Sequence, residues 1–150
     1  MHMSLNKNVC AEMYCDGASS GNPGNSGIGA VIHLTDKEDN RKGSPETYRL
    51  SEYIGIATNN VAEYTALLKG LKKAKSLGVK KIKIFLDSEL LVRQINGIYK
   101  VKNKNLMTLW LQATNILKEF DEYKVTHVRR EKNAEADSLA RQAVKKKAGG

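Results

Sequence analysis

The chain has 150 residues, of which 41% are hydrophobic, and it carries a formal net charge of +9. This length suits one compact domain with a single core, and no apolar stretch approaches the roughly 20 residues that a membrane helix needs. The first eight residues contain no apolar segment typical of a secretion signal, so we expect a cytoplasmic protein. We expect residues 1–8 to be flexible, residues 9–144 to form one domain, and residues 145–150 to form a flexible basic tail.

The first predicted elements form a glycine-rich hairpin. Residues 9–16 and 28–34 are strand-like apolar runs, and the glycines, asparagine and proline between them indicate a turn. Residues 36–45 predict a polar turn, and residues 46–56 alternate well enough for a third strand, which completes an antiparallel meander. Cys10 and Cys15 lie an odd number of positions apart on the first strand, so they should face opposite sides and form no disulfide.

From residue 58 onward the apolar pattern alternates between the period of a helix and the period of a strand. The predicted elements here are helix 61–77, strand 81–86, helix 89–95, helix 106–120, strand 123–128 and helix 133–146. A meander followed by this alternation predicts an α/β domain in which helices pack on a mixed sheet.

Two aspartates follow directly after apolar runs, Asp16 after the first and Asp87 after the fourth. If those strands are parallel neighbours, the two acids meet at the carboxyl edge of the sheet. No lysine or arginine follows either acid closely in sequence, so we expect no cationic partner, and the two carboxylates would repel each other. A divalent cation that prefers oxygen ligands, Mg²⁺ or Mn²⁺, would remove this repulsion.

Two more acids allow both a structural and a functional interpretation. Glu63 lies three residues after Asn60, a spacing that fits a capping box. Asp137 lies in the first turn of the final helix, where the helix dipole stabilises an acid. The local pattern alone favours the structural interpretation for both.

All four acids lie in motifs that point to one family. The motifs are Tyr14-Cys-Asp-Gly-Ala-Ser-Ser-Gly-Asn-Pro-Gly24, Thr58-Asn-Asn-Val-Ala-Glu63, Asp87-Ser-Glu-Leu-Leu-Val-Arg-Gln94 and Asn133-Ala-Glu-Ala-Asp-Ser-Leu-Ala140. In this order and over nearly the whole chain, they resemble the type 1 ribonucleases H, which cleave RNA in RNA–DNA hybrids. The short link 96–105 stands where many members carry a basic protrusion, so the chain is similar to the compact prokaryotic subgroup.

The resemblance implies a ribonuclease H-like fold, with a five-stranded mixed sheet, strands 4 and 5 parallel to strand 1, and helices on both faces. It also implies that Asp16, Glu63, Asp87 and Asp137 hold two Mg²⁺ ions, with Mn²⁺ as a substitute. The expected reaction is hydrolysis of the RNA strand, leaving 5′-phosphate and 3′-hydroxyl ends. The expected partner is an RNA–DNA hybrid, bound by a monomer.

The resemblance also assigns substrate contacts. Asn59 and Asn60 are expected to contact the RNA strand, and Thr58 and Asn103 to hold a phosphate of the DNA strand. Other expected contacts are Gly17, Asn22, Ser88, Arg129 and Asn133.

One departure from the family pattern concerns a histidine. Many members carry one in a loop before the last acid, whereas His127 falls within predicted strand five and the link 129–132 is too short for that loop. We therefore expect Arg129, Arg130 or Glu131 to supply the missing role.

The sequence leaves two alternatives to this function. They are another nuclease on the same fold that acts on DNA, and a hybrid-binding module without activity. A nucleotide-binding role for the glycine loop is disfavoured, because the loop lacks a Gly-Lys-Ser/Thr ending and leads into a strand.

Overall fold

The computed structural model describes residues 9–35 and 46–149, so the predicted flexible N-terminus and the predicted turn at 36–45 lie outside the described residues. The strands are β1 Cys10–Gly21, β2 Gly24–Thr35, β3 Thr47–Ala57, β4 Lys81–Leu86 and β5 Glu122–His127. The helices are α1 Asn59–Ser76, α2 Glu89–Ile95, α3 Lys104–Leu117 and α4 Ala134–Gly149, and a short 3₁₀ helix, Arg130–Asn133, leads into α4.

The five strands form one sheet in the order β3-β2-β1-β4-β5. β2 runs antiparallel to both β1 and β3, whereas β4 is parallel to β1 and β5 is parallel to β4. The predicted mixed sheet, with strands 4 and 5 parallel to strand 1, is therefore confirmed.

The hairpin differs from its prediction in where the strands end. β1 continues past Asp16 to Gly21, and β2 begins at Gly24, so the turn contains only Asn22 and Pro23. The glycines in this segment pair through their backbones, which requires no side chain, and their turn-like composition hid the longer strands. The pairing of β1 with β4, however, does stop at Cys15 opposite Leu86.

One face of the sheet carries the main hydrophobic core. Alternating residues of the strands, such as Met13, Ile84 and Ile32, are fully or almost fully buried beneath α1. The apolar face of α1 that meets this core includes Leu67, Leu68, Leu71 and Ala74, which are all buried. Behind α1, α3 packs against it and adds Leu117 to the same core.

The other face of the sheet is covered by α4, which lies close to the strands. A Cβ atom on Gly29 would lie 2.2 Å from the Ala136 carbonyl oxygen, and one on Gly27 would lie 2.5 Å from that of Ala140. Small residues on both elements therefore bring α4 onto β2. The buried face of α4 includes Ala136, Ala140 and Ala143, whereas Ala134 is exposed.

The other element bounds differ from prediction by a few residues, with two differences that matter. α3 begins at Lys104 rather than 106, because Asn103 caps it. α4 continues to Gly149, so the predicted tail is helical in its described part, and Lys146 and Lys147 lie in the last turn. Basic side chains at that end complement the helix dipole. In the described ranges, no helix has the length and hydropathy to cross a membrane.

Candidate active site

Asp16 and Asp87 lie at the edge of the sheet where the parallel pairing of β1 and β4 ends. Each immediately follows one residue of the last register pair, Cys15 and Leu86. The Asp16 side chain is almost buried, and its Oδ1 atom accepts a hydrogen bond from the Gly17 amide at 3.0 Å. The predicted meeting of these two acids is confirmed, because both line one cleft of about 500 Å³.

Glu63 reaches this cleft from α1. The residue that caps α1 is Thr58, whose Oγ1 atom accepts from the Val61 amide at 3.2 Å, so the predicted capping box between Asn60 and Glu63 is wrong. Glu63 lies beyond the first turn, and its carboxylate accepts a hydrogen bond from the Ser88 hydroxyl. The close approach of α1 depends on Gly17, where a Cβ atom would lie 2.5 Å from the Glu63 nitrogen.

Asp137 completes the group from α4. Its carboxyl group is hydrogen-bonded to that of Asp16. Asn133 fixes the start of α4 nearby, because its Nδ2 atom donates to the Cys15 carbonyl oxygen at 2.8 Å, directly before Asp16. Four acids from β1, α1, β4 and α4 therefore converge; we call the space that they line, with Ser88, Arg130 and Arg141, the acid cleft.

The acids raise one another's proton affinity. Burial, the negative charge of Asp87 and the hydrogen bond to Asp137 together raise the pKa of Asp16 to about 9, with burial as the largest cause. Burial and Asp87 also raise the pKa of Glu63 to about 7, although Ser88 and Arg130 oppose this shift. At neutral pH the cluster therefore retains a proton on Asp16, as expected for crowded carboxylates.

Two arginines flank the acids, which corrects the expectation of no cationic partner. The Arg130 Nε atom lies 3.9 Å from Asp87 Oδ2, and Arg141 donates to Asp137 Oδ2 at 2.7 Å. Both guanidinium side chains are largely exposed, so these ion pairs are weak. Arg141 could have been found from the sequence, because it lies four residues after Asp137 on the same helix.

The donor set fits a hard divalent cation. Within residues 9–35 and 46–149, no group of three or more Asp, Glu, His or Cys side chains has the geometry of a metal site. The four carboxylates nevertheless supply only oxygen atoms, which Mg²⁺ and Mn²⁺ prefer. Because Asp16 retains a proton that a bound cation would displace, the same crowding that raises its pKa favours a cation in the acid cleft.

A second cleft, of about 340 Å³, lies between the first turns of α1 and α3. We call it the asparagine pocket, and it brings together five predicted substrate contacts: Asn22, Thr58, Asn59, Asn60 and Asn103. The Asn22 Oδ1 atom accepts from the Asn59 amide at 3.0 Å, and Asn103 Oδ1 accepts from two amides of α3. The N-termini of α1 and α3 therefore both border the asparagine pocket.

The remaining predicted contacts lie in different surroundings. Gly17 and Ser88 line the acid cleft, but Arg129 is exposed and is not among the cleft residues that the structure describes. Asn133 is 1% exposed, so its observed role is to connect α4 to β1 rather than to meet a ligand. His127 lies at the exposed end of β5, which confirms its placement in a strand.

The sheet order, the helices on both faces and the four converging acids define a ribonuclease H-like α/β domain. The sequence family described as "Reverse transcriptase-like" matches residues 14–143. The chain is 40% identical over 129 residues to the bifunctional protein Rv2228c of Mycobacterium tuberculosis, covering 86% of this chain and 34% of that protein. This chain thus spans about a third of that relative.

Solved structures agree with this match. The N-terminal RNase H domain of Rv2228c superposes with a TM-score of 0.84 at 36% identity, over 94% of this chain and 97% of that one. LC11-RNase H1, isolated from compost and solved in complex with an RNA/DNA hybrid, superposes with a TM-score of 0.80 at 38% identity, over 92% of this chain and 99% of that one. The chain belongs to the type 1 ribonuclease H family.

Proposed function

We propose that the protein is an endoribonuclease that hydrolyses the RNA strand of RNA–DNA hybrids. The observation that carries this proposal is the convergence of Asp16, Glu63, Asp87 and Asp137 in one cleft of a type 1 ribonuclease H domain. A protein that only bound a polyanion would gain nothing from four clustered acids, because they repel phosphate groups.

The two clefts suit the two strands of a hybrid. The RNA strand lies at the acid cleft, with Asn59, which lines both clefts, beside its 2′-hydroxyl groups. A phosphate of the DNA strand occupies the asparagine pocket, which is lined by asparagine side chains and lies at the positive ends of the α1 and α3 helix dipoles. The complex of LC11-RNase H1 with an RNA/DNA hybrid supports this substrate.

The acids are proposed to hold two Mg²⁺ ions, with Mn²⁺ as a substitute. Such ions, when bound, activate water and stabilise the charge that develops on the leaving oxygen, and the products then carry 5′-phosphate and 3′-hydroxyl ends. Asp16, which interacts with all three other acids, would give up its proton to serve as a metal ligand. Glu63 and Asp87 would serve as further ligands of one ion, and Asp137 as a ligand of the other.

Arg130 is proposed to act where other members use a loop histidine. Its guanidinium group is exposed at the mouth of the acid cleft, 3.9 Å from Asp87. From there it can bind the phosphate of the cut RNA by charge-assisted hydrogen bonds. A monomer in the cytoplasm remains the expectation from the sequence.

The test is cleavage of a labelled RNA–DNA hybrid in Mg²⁺, beside duplex DNA and duplex RNA of the same sequence. We expect cutting of the hybrid's RNA strand only, and a loss of at least about a hundredfold in Asp16→Asn, as for other groups that stabilise developing charge. Cutting of duplex DNA instead would identify a different nuclease. An inactive parent protein that still binds the hybrid would identify a binding module.

A further inference from the structure

Part of the sheet face that carries α4 remains open to solvent. α4 packs on β1, β2 and β3, while Lys83 of β4 and Lys124 of β5 are exposed on the same side. We define the open face by these two lysines together with Tyr14, Phe85 and Thr126, which are half-buried.

The residues of the open face form rows that lead to the catalytic acids. Tyr14, Phe85 and Thr126 are register partners across β1, β4 and β5, and their row lies two residues before Asp16 and Asp87. At about 3.3 Å per residue, the rings are about 7 Å along the strands from the acids. The next row away from the acids contains Glu12, Lys83 and Lys124.

The aromatic row contains a preformed stack. The Tyr14 and Phe85 rings have their centroids 4.8 Å apart and lie within 23° of parallel, and His33 meets Tyr14 edge-on at 6.1 Å. Aromatic rings standing on a sheet surface are platforms for unpaired bases, because every base presents a face that can stack.

The charged row places two ammonium groups side by side. Lys83 and Lys124 are direct register partners on neighbouring strands, and the structure gives neither an ion pair within the described residues. Like charges opposite each other destabilise a sheet, so this arrangement has a cost in the free protein. The neighbouring Lys81 differs, since it is paired with Glu122 at 3.3 Å.

We propose that the open face binds single-stranded RNA that continues from the scissile strand. The aromatic row stacks the first unpaired bases, and Lys83 and Lys124 bind the phosphates that follow. RNA rather than DNA is assigned because the rows end at the acids, where the RNA strand lies; this step rests on the proposed function. The asparagine pocket, which takes the DNA strand, is formed by other elements.

The test compares hybrids with and without a single-stranded extension of about six nucleotides, within the range bound by small single-strand modules. Binding is measured by fluorescence anisotropy in Mg²⁺ on an Asp16→Asn background, which prevents cutting. We expect an RNA extension at one of the two ends to strengthen binding about tenfold over the blunt hybrid, and a DNA extension to add nothing comparable.

The decisive variant is Lys83→Gln/Lys124→Gln, and its matched control is Lys72→Gln/Lys118→Gln. The control removes the same charge from exposed positions on α1 and after α3. The first variant should lose the gain from the extension and lower the salt dependence of single-strand binding by about 1.4, since each phosphate contact contributes about 0.7. The control variant should keep both the gain from the extension and the salt dependence of single-strand binding. Phe85→Leu, checked by thermal unfolding, should lose part of the gain through stacking alone.

Three results would overturn the inference while the proposed function stands: no gain from an RNA extension to a hybrid that the parent cuts, an equal gain from DNA, or an equal loss in both double variants. A blunt hybrid that is neither bound nor cut would remove the proposed function and this inference together.

Discussion

α1 and α4 lie on opposite faces of the sheet, and each brings one acid to Asp16 across a glycine-containing strand. α1 crosses Gly17 and delivers Glu63, which is hydrogen-bonded to Ser88 from another element. α4 crosses Gly29 and delivers Asp137, which is ion-paired with Arg141 of its own helix. Asp137 is also hydrogen-bonded to Asp16, so both acids are held by contacts between elements. The difference lies in the second partner, which is exposed on the α4 side, where it is Arg141, and half-buried on the α1 side, where it is Ser88.

The α1 side can be disturbed most strongly at Gly17. In Gly17→Ala, the new Cβ atom would lie 2.4 Å from the Ala62 carbonyl carbon, so α1 must move outward and take Glu63 with it. We expect a loss of stability of about 1–3 kcal/mol and a loss of hybrid cleavage of about a hundredfold from the misplaced acid.

The matched control for Gly17 is Gly55→Ala. A Cβ atom there meets nothing within 4 Å, but the backbone φ of +88° strains any L residue, which costs about 1–2 kcal/mol. Thermal unfolding should show similar losses for the two variants, and only Gly17→Ala should lose activity. Equal activities would show that the contact of α1 with Gly17 does not position the site.

The protonation of the cluster can be followed through stability. The pKa of Asp16 is raised from 3.8 to about 9 and that of Glu63 from 4.5 to about 7. For each acid, between its ordinary pKa and its raised pKa, the folded state binds more protons than the unfolded state. The free energy of unfolding therefore falls as pH rises through this range. In EDTA, we expect the melting temperature to decrease from about pH 5 to pH 8, and the slope to be smaller in Asp16→Asn. Identical slopes for the two proteins would contradict the shift at Asp16.

The α4 side can be tested with two neighbouring arginines at the start of the 3₁₀ helix that leads into α4. Arg130→Gln should lower hybrid cleavage about tenfold, because hydrogen bonds to charged groups contribute about 1.5–3 kcal/mol. Arg129→Gln should lower it less than about threefold, as for an exposed charge. A larger loss of cleavage in Arg129→Gln than in Arg130→Gln would contradict the proposed contact between Arg130 and the phosphate of the RNA.

The smallest expected effect belongs to His127. It lies at the exposed end of β5, so His127→Ala should reduce cleavage less than about tenfold, below the range of a general acid or base. A loss as large as that of Asp16→Asn would show that this histidine takes part in the chemistry.

The sequence predicted the elements and the four acids because both depend on local patterns. In the described residues, sequence patterns located the five strands and the four α-helices but not the 3₁₀ helix, and motifs located Asp16, Glu63, Asp87 and Asp137. It placed the end of β1 wrongly because glycines pair in a strand through the backbone alone. The local pattern alone also favoured a capping box for Glu63, since Thr58 and Asn60 are both good caps and only the backbone geometry separates them.

Contacts between elements that are far apart in the chain could not be predicted from the sequence. The hydrogen bond from Asn133 to the Cys15 carbonyl joins residues 118 positions apart, and no local pattern marks it. The same holds for the approach of α4 to Gly29 and to Gly27, of which Gly27 was predicted to be a turn residue. Arg130 meets Asp87 only because β5 lies next to β4 in the sheet.

The central claim is that the crowded acids exchange a proton for a divalent cation. It is tested most directly by titrating the protein with Mg²⁺ at about pH 7.5 in two buffers of different ionisation enthalpy, which counts the protons released on binding. Asp16, whose pKa is about 9, should release about one proton in the parent protein, and Asp16→Asn should release almost none. Mg²⁺ binding without proton release, or equal release by both proteins, would contradict the account.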